Sequence, residues 1–192
     1  MLEEEYQPRR ELPIHLKPAA APEPGFEYTI RDATPADLPD VREIYNHYVM
    51  NSTVTFDEER MTLAALRHKF QKVTEKKMPF LVAESPSGQL LGYAYVYPWK
   101  EKAAYRFTVE NSIYLGPAST GKGLGRALLA ELIERSKAAG LKEIIAVIAD
   151  KGAEASIQMH RSFGFKEIGH MGKVGFKFGR WLGTVLMQKS LK

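Results

Sequence analysis

Between positions 120 and 126 the chain reads Thr120-Gly121-Lys122-Gly123-Leu124-Gly125-Arg126. Glycines at this spacing let main-chain N–H groups approach phosphate oxygens with no Cβ in the way. A helix that begins there adds its positive end to the attraction. A tight strand-to-helix turn holding no ligand would need fewer glycines, so the expected chemistry is the binding of a diphosphate. Three side chains elsewhere could act beside such a group. Glu110 is a candidate general base, His160 a candidate proton donor near neutral pH given a reference pKa of about 6.5, and Arg106 a guanidinium fork suited to a carboxylate. Each also has a plain structural reading, as an exposed strand carboxylate, a helix-face histidine and a surface ion pair.

Two other phosphate readings compete. Gly116-x-x-x-x-Gly121-Lys122 matches all but the last position of a nucleotide-binding P-loop, and Ile144–Asp150 imitates an apolar strand ending in a metal-holding Asp. Position 123 is glycine, however, where a P-loop needs a hydroxyl for magnesium, and the hairpin upstream does not suit an all-parallel sheet. A dinucleotide fingerprint starting at Gly121 would require glycine where Arg126 stands.

The elements that must position these residues follow from the apolar pattern. A short strand at Tyr28–Arg31 precedes a helix capped by Thr34 with Pro35 as its first residue, and Leu38, Val41, Ile44, Tyr45 and Tyr48 then recur at helical spacing. A second amphipathic helix covers about 62–72. Two β runs at 79–84 and 90–97, joined by Ser85-Pro-Ser-Gly88, predict an antiparallel hairpin. A strand at Thr108–Leu115 leads through the glycine loop into a helix ending near Gly140. Glu143–Ile148 is the continuous apolar run of a strand buried on both faces, which implies a parallel crossover. A helix at Glu154–Ser162, a strand from Phe165 and a last strand near Thr184–Gln188 complete an α+β layout around a mixed sheet.

Length and composition narrow the function. At 192 residues the chain suits one domain, expected over residues 27–192. Residues 1–26, holding five of the eleven prolines and no apolar periodicity, are expected to be a tail or arm. No apolar run approaches the roughly 20 residues of a membrane span, and the acidic Met1–Glu5 start is unlike a signal peptide, so the expectation is a cytoplasmic chain without a membrane partner. The net charge of +4 is spread without the dense basic stripe of nucleic-acid binders. With no cysteine, disulfides, zinc-thiolate sites and an acyl-cysteine are all excluded. His47, His68 and His170 show no metal-binding spacing, and neither a Gly-x-Ser-x-Gly elbow nor a His-Glu-x-x-His helix is present.

The strand, the Gly-x-Gly loop and helix, the buried strand and the helix ending in Ser162-Phe-Gly-Phe165 together resemble the GNAT superfamily of acetyl-CoA-dependent N-acetyltransferases. Asn51-Ser-Thr-Val-Thr-Phe56, Tyr97-Pro-Trp-Lys100, Ala104-Tyr-Arg-Phe-Thr-Val-Glu-Asn-Ser-Ile-Tyr114 and Gly175-Phe-Lys-Phe-Gly-Arg-Trp181 are similar to the phosphinothricin and methionine-sulfoximine N-acetyltransferases. The likeness spans about 28–190. It implies a mostly antiparallel sheet flanked by helices, with a strand pair that splays at the cofactor site. It further implies that Ile113, Tyr114 and Leu115 bind the pantetheine arm like an added strand while Gly121 to Arg126 hold the pyrophosphate. Acetyl would pass to the amine of a small amino acid or analogue, with Glu110 as base and His160 where many members have a thiolate-protonating Tyr. Arg106, Phe56 and Lys100 are the expected acceptor-binding residues, no metal is expected, and the subfamily implies a homodimer. Two departures stand out: Thr120 replaces the usual Arg or Gln, and Ala153 a frequent Asn, both changes that predict weaker acetyl-CoA binding. A GNAT-like module that binds acetyl-CoA without catalysis is the alternative of a different class.

Overall fold

A computed structural model describes residues 25–192. Its centre is one seven-stranded sheet in the order β1-β2-β3-β4-β5-β7-β6. The strands are β1 (Thr29–Asp32), β2 (Phe80–Glu84), β3 (Leu90–Pro98), β4 (Thr108–Leu115), β5 (Glu143–Ala149), β6 (Lys166–Lys177) and β7 (Arg180–Ser190). Every neighbouring pair is antiparallel except β4 and β5. The mixed α+β architecture with a mostly antiparallel sheet is thus the one expected.

Four helices cover the sheet: α1 (Leu38–Asn51), α2 (Leu63–Glu75), α3 (Leu124–Ala138) and α4 (Glu154–Ser162). Strand alternation decides which face each helix meets. Phe80, Val82, Tyr93 and Tyr95 point to α1 and α2 and join Leu38, Val41, Leu66 and Phe70 in one cluster. Leu81, Ala83, Ala94 and Val96 point the other way and join Leu124, Leu128 and Leu132 of α3. Apolar on both faces, these strands read as near-continuous hydrophobic runs.

Three boundaries differ from the sequence reading. Pro35–Asp37 forms a 3-10 turn before α1 begins at Leu38. There Asp37 accepts from the Thr34 N–H at 2.7 Å and from both Arg31 Nη atoms at 2.8 Å, so the side chains order the turn together. β7 is also much longer than expected, and β6, expected only to run from Phe165, begins at Lys166 and continues to Lys177. β6 lies at the sheet edge with nearly all its residues exposed, so burial imposes little apolar alternation on it. Of the expected tail, residues 1–24 lie outside the described residues, while Phe26 packs on the α3-side core and receives the Lys122 Nζ 4.8 Å from its ring centroid. Among the described residues no helix is long and apolar enough to cross a membrane.

Candidate active site

The cleft arises where the one parallel pair comes apart. β4 and β5 are in register only at Thr108↔Glu143, Val109↔Ile144 and Glu110↔Ile145. Beyond this β4 stays with β3 as far as Leu115, and β5 stays with β7 as far as Ala149. The two strands therefore diverge, each anchored on its outer side, and open a cleft of about 690 Å³. Its walls are Glu110 to Leu115 and Ala146 to Ala149, and the glycine loop and the inner side of α4 close its far end.

The glycine loop presents main chain to this cleft. Gly121 and Gly123 have φ of 74° and 81°, values that favour glycine, and a Cβ at either would meet nothing within 4 Å. Among the described residues, the N–H groups of residues 121–125 find no acceptor in the protein. The Arg126 N–H differs from the sequence expectation, because it turns inward to the Gly123 carbonyl at 3.1 Å. Its side chain instead reaches Ser162 Oγ at 2.8 Å and lies over Phe163. Leu124 is fully buried and Lys122 is not on the cleft wall, whereas Gly121, Gly123 and Gly125 all line it. Three glycine amides without a protein acceptor at a helix N-terminus suit a diphosphate. Thr120 and Ala153 both line the cleft, and the Thr120 hydroxyl is occupied by the Pro117 carbonyl at 3.0 Å.

Glu110 sits where the splay begins, its side chain on the α1–α2 side of the sheet. Burial pushes its carboxyl above the ordinary range, and the charges of Lys100 and Lys69 partly offset this. A carboxylate shifted in this direction is better matched to accepting a proton near neutral pH. His160 lies on the opposite side of β4, only 3% exposed. Its Nδ1 is 2.8 Å from the Ser156 carbonyl, which can only accept, so that nitrogen carries the hydrogen. Its Nε2 is 2.9 Å from Asn111 Nδ2 and takes a hydrogen bond from it. The ring is therefore neutral, and burial holds its pKa below the ordinary value.

Asn111 is a residue that sequence reasoning missed. It is 8% exposed and on the cleft wall, and its Oδ1 is buried without a partner. The available signal was a polar residue at a position of β4 whose neighbours on the same face, Val109 and Ile113, are apolar. Tyr48 was read only as part of a helix face, yet its hydroxyl donates to the Leu115 carbonyl at 2.7 Å and so fixes α1 against the end of β4.

The expected acceptor residues are not brought to the cleft wall. Arg106 is exposed, with Nη1 on the Ala103 carbonyl at 3.2 Å and its guanidinium over Phe107. Lys100 is exposed over Trp99 and acts on Glu110 only through its charge. Phe56 packs against the core and against Gly175. Among the described residues, no group of three or more His, Asp or Glu side chains is placed to hold a metal ion.

Residues 30–186 match the Acetyltransferase (GNAT) domain family, and the chain belongs to it. The chain is 42% identical to the phosphinothricin N-acetyltransferase of Alcaligenes faecalis over 163 residues, 85% of this chain and 82% of that one. It is 44% identical to the L-methionine sulfoximine/L-methionine sulfone acetyltransferase of Pseudomonas paraeruginosa, covering 85% and 94% of the two chains. Among solved structures, a GNAT superfamily phosphinothricin acetyltransferase from Sinorhizobium meliloti in complex with acetyl-CoA superposes with a TM-score of 0.81 at 44% identity, covering 85% and 88%. With the splayed strands and the open amides, these relatives make the chain an acetyl-CoA-dependent N-acetyltransferase.

Proposed function

We propose that the chain transfers acetyl from acetyl-CoA directly to the α-amine of a small amino acid or analogue, of the phosphinothricin or methionine-sulfoximine kind. The observation that carries this reading is the half-buried Glu110, poised at the start of a splay that leads to the acceptor-free amides of Gly121, Gly123 and Gly125. The names of the relatives support the substrate class. With no cysteine in the chain, direct attack by the amine needs no sulfur-bound acyl group on the enzyme.

Bound acetyl-CoA supplies a thioester carbonyl that a neutral amine can attack. In this reading the amides of Gly121, Gly123 and Gly125 hold the diphosphate, and β4 main chain at Ile113, Tyr114 and Leu115 takes the pantetheine arm as an added strand. Glu110 removes the proton from the incoming ammonium, directly or through one water. His160 returns a proton at the sulfur end. To do so it must first be protonated at Nε2, and the Asn111 amide must then turn over, so that Oδ1 rather than Nδ2 faces the ring. Arg106 and Lys100, exposed and cationic near the start of β4, attract the acceptor's carboxylate from the mouth of the site.

Among the described residues, six of the nine exposed large apolar ones, Ile168, Met171, Val174, Phe176, Phe178 and Trp181, gather on the β6–β7 hairpin. They offer a surface for the homodimer that the resemblance implies.

Release of CoA measured across a panel of amino acids and analogues tests the proposal, with acetylation of the α-amine the expected result. Tight acetyl-CoA binding with no release across the whole panel would instead identify a silent sensor.

A further inference from the structure

Two segments singled out in the sequence take no part in the chemistry above, Asn51–Phe56 and Gly175–Trp181. The structure brings them together. Lys177, near the end of β6, is 2% exposed and is the only Lys, Arg, Asp or Glu among the described residues that is buried. A buried ammonium is costly unless its hydrogens find acceptors. Here Nζ donates to the Ser52 carbonyl at 2.9 Å and to the Thr55 carbonyl at 2.8 Å, residues 125 and 122 positions away. Asp57 and Glu58 add longer-range attraction, which offsets part of the burial that lowers its pKa.

The loop it grips has no regular secondary structure of its own. Thr53 and Thr55 are nevertheless buried, and Thr55 Oγ1 lies 3.0 Å from the Tyr45 hydroxyl, which in turn donates to Asp57. Val54 stands on the cleft wall. Two positions before Lys177 on β6, Gly175 receives the Phe56 ring so closely that a Cβ would fall 2.5 Å from it. The hairpin therefore holds the loop at two points, one charged and one apolar. Thr55 lies beside Tyr45 and Tyr114, on the α1–α2 side of the sheet toward which Glu110 points, while Val54 and Phe56 pack against the α3-side cluster.

We propose that Lys177 is a positioning residue that ties the β6–β7 hairpin to the 52–57 loop and thereby sets the acceptor end of the cleft. The tether stands on the geometry alone, and only the identity of what the loop meets, an amine acceptor, rests on the acetyl-transfer reading.

Lys177→Met keeps an unbranched side chain, one atom shorter, and removes the donors. In the folded variant, amide hydrogen exchange over residues 52–57 should speed up by about tenfold or more, as expected when a local tether is lost. The KM for the amine acceptor should rise by about tenfold, while the dissociation constant for acetyl-CoA stays within about twofold, because the lost contact serves one substrate only. Unchanged exchange and unchanged acceptor KM would overturn the proposal, and so would an equal loss of acetyl-CoA binding. Should Lys177→Met not fold, Lys177→Leu, which also removes the donors, is read by the same measurements with the same outcomes for and against. If the parent enzyme acetylates no amine, exchange over 52–57 still decides the tether, so the two readings fail separately.

Discussion

The two ends of the cleft are built from different materials. The cofactor end is local and made of main chain, with three acceptor-free glycine amides on the cleft wall, two of them at positive φ, inside residues 120–126. The acceptor end is assembled from side chains far apart in the chain: Glu110 on β4, the tyrosines of α1, the 52–57 loop, and Lys177 on the β6–β7 hairpin. Main-chain sites tolerate changes of side chain but not a Cβ where φ is positive. Side-chain sites fail when a single tether is cut. The first kind suits a cofactor common to many enzymes, and the second can change its acceptor without disturbing the first.

The largest break in this comparison is expected from Glu110→Gln. Turnover should fall by about 10²-fold or more, the usual worth of a positioned base, with acetyl-CoA affinity unchanged by calorimetry. The same variant should be more stable at neutral pH. Burial raises the folded-state pKa of Glu110 above its unfolded value, so its charge costs stability as pH climbs through that window. A lower thermal midpoint for Glu110→Gln at pH 7 would contradict this.

Next in size is the pH profile. Since Glu110 must be ionised to act, kcat/KM should fall about tenfold per pH unit below its raised pKa, a limb that Glu110→Gln lacks. An identical acid limb in both proteins would assign it to another group. Burial lowers the His160 pKa and the proton return needs its charged form, so activity should also decline on the alkaline side of that pKa in both proteins.

Gly123→Val probes the other end. A β-branched residue at φ 81° costs about 1–2 kcal/mol, so acetyl-CoA should bind about tenfold more weakly while the acceptor KM holds. Loss of acceptor binding with acetyl-CoA affinity intact would reverse the assignment of the two ends.

The smallest effect belongs to Asp37→Asn, remote from both ends. Hydrogen bonds from Arg31 hold the Asp37 carboxyl down at about 2. That stabilisation is complete above the unfolded value of 3.8 and is lost as pH falls toward 2. Because Arg31 is 39% exposed, the loss at pH 7 should be only about 1 kcal/mol, seen as a lower thermal midpoint with kcat/KM unchanged.

The same contrast explains how much the sequence disclosed. β4 and α4 are legible to the residue, and so is the glycine loop, because local spacing alone specifies them. The inward turn of the Arg126 amide is not, since glycine spacing does not say which N–H the first helical turn will use. Lys177 stands in the sequence only as part of the Gly175–Trp181 segment, and its burial against the 52–57 loop comes from the fold. Asn111 became visible only when α4 brought His160 to it. Arg106, Phe56 and Lys100 are correctly near β4 or the loop in sequence, yet lie off the cleft wall, because proximity along the chain does not fix where a side chain points.

The most direct test follows the backbone amide signals of residues 116–130 by NMR as acetyl-CoA is added. The N–H groups of Gly121, Gly123 and Gly125 should shift and become protected from exchange, with Arg126 much less affected. Saturating acetyl-CoA that leaves those three amides unmoved would contradict the diphosphate cradle.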